Sequence, residues 1–157
     1  KRLEEGKVTV TASLSAKVIR KNGKIEDLGV ISKRVVTDAF VNYLVDSMQD
    51  SSTYPMDVFK YHDSGTGTNA ENASDTGLQT PTGIARVTGT QTEGSSANIY
   101  KTVATITYDG TYAITEHGVF SASTGGILLD RSVFSAINVN NGDKIEFTYE
   151  LTCSSGG

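Results

Sequence analysis

Alternation with a period of two is the strongest constraint in this chain. Ile145, Phe147, Tyr149, Leu151 and Cys153 alternate with Lys144, Glu146, Thr148, Glu150 and Thr152. Successive side chains of an extended strand point to opposite faces, so the first set shares one face and the second set the other. Such a strand covers a core on one side and meets water or a partner on the other. Val8, Val10, Ala12, Leu14, Ala16 and Val18 repeat the pattern against Thr9, Thr11, Ser13, Ser15 and Lys17. Asn22-Gly23 then predicts a tight type I′ turn, and the return strand over 25–32 carries Gly29 as a bulge. Together these define an N-terminal hairpin over 7–32.

One helix interrupts the strands. Thr37 or Asp38 can cap it, and Val36, Ala39, Phe40, Tyr43, Leu44, Ser47 and Met48 recur at helical spacing. That stripe predicts a helix over about 37–50, packed by its apolar face. Asp46 and Asp50 oppose the helix dipole near its end. A short strand is expected over 58–62 and another over 84–90, with a polar, glycine-bearing loop over 63–83 between them. A loop of that length is functional, laid over a neighbour, or mobile. Four further strands are expected as a C-terminal meander over 98–153, turning at Asp109-Gly110, 123–126 and 140–143. In its first strand Tyr100, Thr102, Ala104, Ile106 and Tyr108 share a face.

The fold expected is mainly β: an antiparallel β-sandwich or jelly-roll-like barrel with one packed helix, in a single β domain over 1–157. The length of 157 residues suits one core, and the abundance of Thr, Ser and Gly suits strands with a wet face. No run approaches the roughly 20 apolar residues that span a bilayer, so no membrane partner is expected. The net charge of −4 hides an asymmetry. Residues 1–34 hold nine basic and four acidic side chains, a balance of +5, which leaves −9 on the remainder. Ends of opposite sign favour head-to-tail association or an acidic partner surface. The basic residues named as candidate contacts are Lys1, Arg2, Lys7, Arg20, Lys21 and Lys24. They are not interleaved with aromatics, and the chain is acidic as a whole, which argues against nucleic acid.

Little in the sequence points to catalysis, and we expect no enzyme and no cofactor. His62 and His117 are the two histidines. They could form a metal or acid–base pair only if their strands were neighbours, and structural hydrogen bonding is the more ordinary role of mid-strand imidazoles. Gly65-Thr66-Gly67-Thr68 lacks the lysine and following helix of a phosphate loop. The 63–75 stretch lacks the ligand spacing of an EF-hand. Asp130-Arg131 reads as a surface ion pair. Cys153, the single cysteine, reads as a small buried hydrophobe. Without Trp, sugar binding would fall to the seven Tyr residues, several of which lie on apolar faces.

Several segments carry a resemblance. Lys60-Tyr61-His62 leads into Gly65-Thr66-Gly67-Thr68, followed by Ala73-Ser74-Asp75-Thr76-Gly77-Leu78. Further on come Ala113-Ile114-Thr115-Glu116-His117-Gly118-Val119-Phe120, Gly126-Ile127-Leu128-Leu129-Asp130-Arg131-Ser132-Val133-Phe134 and Asn141-Gly142-Asp143. Over about 36–151 the chain resembles tailed-bacteriophage structural proteins. That resemblance implies a virion component without catalytic residues. Combined with charge and size, it implies a capsid decoration (cement) protein on the outer capsid surface. Its partners would be the major capsid protein and further copies of itself, as a homo-oligomer with a trimer favoured. The N-terminal strand would add to a neighbouring sheet edge. A tail adaptor, baseplate or fibre-attachment component is the alternative, and a receptor- or polysaccharide-binding module is a third reading.

Overall fold

The structure, a computed structural model, describes residues 6–34 and 36–156. The elements in chain order are β1 (Lys7–Ile19), β2 (Ile25–Arg34), α1 (Asp38–Gln49), β3 (Tyr61–Gly65), β4 (Val87–Thr88), β5 (Thr90–Glu93), β6 (Ile99–Thr107), β7 (Tyr112–Phe120), β8 (Leu128–Val139) and β9 (Lys144–Gly156). They form two antiparallel sheets, a first of order β2-β1-β9-β6-β5 and a second of order β4-β3-β7-β8. The sheets do not close into a barrel, so the sandwich is the form that holds.

The period-two alternation becomes the core. Leu14, Val18, Ile106, Ile145 and Phe147 of the first sheet are almost fully buried against Ile114, Val119, Ile137 and Val139 of the second. Burying a side chain such as Phe147 contributes about 2–3 kcal/mol. The intervening Thr, Ser, Lys and Glu residues form the outer face, where Lys17 lies opposite Glu146 and Lys101 opposite Glu150. Of the inward set predicted for the first C-terminal strand, Thr102, Ala104 and Ile106 of β6 and Tyr108 just past its end are buried, while Tyr100 is half-buried.

The C-terminal strands do not form a meander. β6 and β9 pair with each other in the first sheet, while β7 and β8 form a hairpin in the second. The turns at 108–111 and 140–143 therefore cross between sheets. A period of two identifies a strand but not its neighbour, and both layers of a sandwich present the same period.

Local chemistry sets the ends of the elements. Thr37 caps α1, its hydroxyl accepting from the Phe40 amide at 3.1 Å and donating to the Leu128 carbonyl at 2.6 Å. The residue stopping the helix is Asp50, whose carboxylate accepts from the amides and hydroxyls of Ser52 and Thr53. These bonds hold it down at about 2. Phe40 and Tyr43 meet the Phe59 ring edge-on, with centroids 5.2 and 5.1 Å away. Met48 departs from the predicted stripe, being 81% exposed. It falls beyond the arc that Phe40 and Ser47 turn inward.

The Asn22-Gly23 turn is present in another geometry. Gly23 has φ of +91° but Asn22 does not share it, and the Gly23 amide donates to the Arg20 carbonyl. This is the three-residue hairpin loop with glycine in the left-handed position, in place of the type I′ turn. Cys153 is exposed, contrary to the reading of it as buried. It keeps the parity of Leu151, but an open groove lies over it in place of the opposite sheet. Among the described residues no helix is long and apolar enough to cross a membrane.

Candidate functional site

The second sheet concentrates buried polarity. Of fourteen buried polar or charged side chains among the described residues, nine lie on three of its strands: His62, Asp63 and Ser64 on β3, Thr115, Glu116 and His117 on β7, and Asp130, Arg131 and Ser132 on β8. Antiparallel pairing places His62 beside Val119 and Ser64 beside His117, which brings the two histidine strands together.

Toward the first sheet, His62 Nδ1 and His117 Nε2 are 2.9 Å apart, one ring donating its N–H to the other's lone pair. His62 Nε2 shares a hydrogen bond with Thr102 Oγ1 on β6 at 3.0 Å. The His117 ring lies 4.4 Å from that of Phe147. Both imidazoles are essentially inaccessible, at 0% and 1% exposure. Burial pulls His62 down to about 3, and burial together with the neighbouring His62 holds His117 well below the usual histidine range. The relay is neutral and sealed, so neither ring can reach a substrate. A Cβ on Gly89 would strike Thr102 and His62, so glycine is what lets the chain pass over this pair.

Alongside, Asp130 accepts from Ser132 Oγ at 3.1 Å and from Tyr149 OH at 3.2 Å. Burial pushes its carboxyl up to about 6 despite those bonds. Tyr149 belongs to β9, so the contact ties the two sheets together. Ser64 and Tyr108 make a second hydroxyl bridge between layers at 2.8 Å.

On the outward face of the same sheet the chain over 66–82 forms a lid. Glu116 accepts from the Gln79 and Thr80 amides at 3.3 and 3.1 Å. The Arg131 guanidinium bonds Glu116 at 3.0 Å, Asp75 at 3.2 Å and the Asn69 side chain at 2.6 Å. Thr115 donates to the Gly67 carbonyl at 2.7 Å. Asp130 and Arg131 are therefore not a surface pair: both are buried, one facing the core and the other the lid. The Gly65-Thr66-Gly67 segment passes so close that a Cβ on Gly67 would collide with Glu116 and Gln79, and one on Gly65 with the Thr80 carbonyl. These glycines serve close packing. Further along, Arg86 lies 3.5 Å over the Phe120 ring and donates to the Ala122 and Gly125 carbonyls, tying down the β7–β8 turn.

Among the described basic candidates, Arg20, Lys21 and Lys24 share the β1–β2 turn and Lys7 stands apart from them. Lys1 and Arg2 lie outside the described residues. Lys7 begins β1 and Arg20 follows its end, and a strand of 13 residues puts them on the order of 40 Å apart. Arg20 is committed internally, to Glu26 at 2.7 Å, Asp143 at 3.1 Å and the Asn138 carbonyl at 2.7 Å. The Lys21 amide also donates to Asp143. Lys24 Nζ sits 3.9 Å from Glu26. β1 is paired on both sides, to β2 and β9, along most of its length, so over 12–19 it has no edge to offer a neighbouring sheet.

Among the described residues no three His, Cys, Asp or Glu side chains converge to hold a metal ion. An apolar groove of about 570 Å³ lies beside α1, lined by Val10, Phe40, Leu44, Phe59, Tyr100 and Leu151 among others. Sequence reasoning missed the exposed apolar side chains. Val41, Val45 and Met48 stand on the solvent side of α1, and Ile25, Leu28 and Val30 stand out from β2. The i, i+4, i+7 spacing of the helical three was a readable signal. No known family matches the chain, and no curated protein matches it in sequence.

Proposed function

We propose that this chain is a bacteriophage capsid decoration (cement) protein that binds the outer head surface and stabilises contacts between major capsid protein subunits. One contrast carries the reading. The histidines, Glu116, Asp130 and Arg131 are buried and hydrogen-bonded within the protein, whereas nine large hydrophobic side chains among the described residues stand exposed. The surface is adhesive and the polar interior is structural. A protein of this kind adds buried area across a seam without chemistry, and about 800 Å² per partner suffices for specific attachment. The phage-like segments fit the same role, because they supply the lid, its clamp and the histidine relay that stiffen the domain.

Immunogold electron microscopy of the parent virion, with antibody against this chain, tests the proposal. Label spread over the head in many copies is expected. Label confined to the tail or its tip would overturn the head assignment in favour of an adaptor, baseplate or fibre-attachment component.

A further inference from the structure

An unpaired strand edge invites a further strand, and most edges of this molecule are guarded. β2 shifts its register twice against β1, β4 has two residues and β5 has four. β8 is engaged by Thr37 at the Leu128 and Leu129 carbonyls and by Arg20 at the Asn138 carbonyl. The start of β1 is different. Its pairing with β9 runs over Lys7–Ile19 without a shift, whereas its pairing with β2 begins only at Ala12, opposite Arg34. Among the described residues nothing bonds the open side of 7–11, and the segment holds neither proline nor bulge.

The direction of each backbone group there follows from the neighbouring strand. The Cys153 amide donates to the Asn98 carbonyl, and the Cys153 carbonyl accepts from the Asn98 side chain, each at 3.0 Å. Cys153 thus turns both groups toward β6, and its neighbours Thr152 and Ser154 turn theirs toward β1, opposite Thr11 and Thr9. On β1 the odd residues are spent on β9. Val8 and Val10 turn two amides and two carbonyls out to the open side. Their side chains share the parity of Ala12 and Leu14, but the core does not reach them: Val8 is 75% exposed, and Val10 walls the apolar groove beside α1.

We infer that this edge pairs with the same edge of a second copy, antiparallel about Thr9. The length of the opening selects a second copy. It spans five residues, closed at one end by Arg34 opposite Ala12 and ending at Lys7, with the exposed Gly6 outside the strand. Two copies fill each other's opening end to end, and each chain leaves the sheet at Gly6 where the partner's Arg34 begins. In this register Val8 meets the partner's Val10 and Val10 the partner's Val8. All four outward backbone groups of each copy are then bonded, and the four valines form one apolar strip beside the two grooves. The contact is isologous and closes as a two-fold pair. The inference stands apart from the particle reading, since it concerns the purified chain alone.

Cysteine trapping in the full chain reads that register. In a Cys153→Ser background, Thr9→Cys puts a thiol on the two-fold axis, where facing Cα atoms of a non-hydrogen-bonded pair lie about 4.5 Å apart, within disulfide reach. Thr11 is exposed on the same face, but two Thr11→Cys thiols would stand about 14 Å apart along the pair. Under mild oxidation Thr9→Cys is expected to form a linked dimer faster than Thr11→Cys, on the order of tenfold or more, because pairing raises the local thiol concentration. Adding Val8→Pro removes an edge donor that the chain itself does not use, so the fold should persist and the Thr9→Cys rate should fall to that of Thr11→Cys. Sedimentation velocity of the reduced wild type should show a two-chain species and nothing larger. A monomeric or larger wild type, equal cross-linking at the two positions, or a folded Val8→Pro chain that still cross-links rapidly would each overturn the inference.

Discussion

The two sheets are built from similar composition and solve opposite problems. The first turns Leu14, Val18, Ile106 and Phe147 inward and, apart from the exposed Ile25, Leu28 and Val30 of β2, Thr, Ser, Lys and Glu outward, and its outer face stays bare. The second buries polar side chains on both faces, the histidine relay toward the core and the Glu116–Arg131 clamp beneath the 66–82 lid. A bare polar face is stabilised by water and tolerates change. A covered polar face must satisfy every group within the protein, which makes it specific and brittle.

Removing the clamp should break this comparison most forcefully. Arg131→Ala leaves Glu116 buried with two backbone donors and no cation. Loss of one partner from a buried ion pair costs about 3–5 kcal/mol, and on the order of 10 °C in Tm for a chain of this size. Calorimetry checks the magnitude.

Acid should act next. From 6.5 down to about 3 the unfolded chain binds a proton at His62 while the folded chain does not, so stability falls as pH falls. Each pH unit in that window costs about 1.4 kcal/mol for one such histidine, and His117 acts in the same direction. Asp130 opposes them. Its folded value is raised from 3.8 to about 6, so its contribution is fully present below 3.8 and is lost as pH rises through 6. Two histidines outweigh one carboxylate, so urea midpoints should drop between pH 6.5 and 4.5. Asp130→Asn sharpens the point: it should stabilise by about 1–3 kcal/mol at pH 8, where it removes a buried charge, and not at pH 4.

Two smaller effects follow. Arg20→Ala unties the hairpin turn from Asp143, a largely covered contact worth about 1 kcal/mol by urea denaturation. Lys17→Thr, on the bare face of the first sheet, should move stability by no more than about 0.5 kcal/mol. A cost comparable to that of Arg131→Ala would mean that the bare face is not bare in solution.

The same contrast explains what was legible in the sequence. β1, β9 and the capped helix could be read because one face of each is simply wet or simply buried, and a single period records that. Asp130-Arg131 could not, because charged residues beside each other look like a surface, and nothing in the period announces a lid arriving from sixty residues earlier. The 66–82 stretch reads as open loop for the same reason: its order comes from Glu116 and Arg131, far along the chain. Cys153 fails in the other direction, since its parity is apolar but the opposite sheet does not cover it. Pairing of the histidines needed the β3–β7 register, which alternation alone does not supply.

Hydrogen exchange over 66–82 tests the central claim most directly, that a polar segment is locked by two buried charges. The account predicts slow exchange of the Gln79 and Thr80 amides in the native chain, and rapid exchange there in Glu116→Gln while the β1 and β9 amides stay protected. Equal, fast exchange of the segment in both proteins would contradict it, and the second sheet would then be as bare as the first.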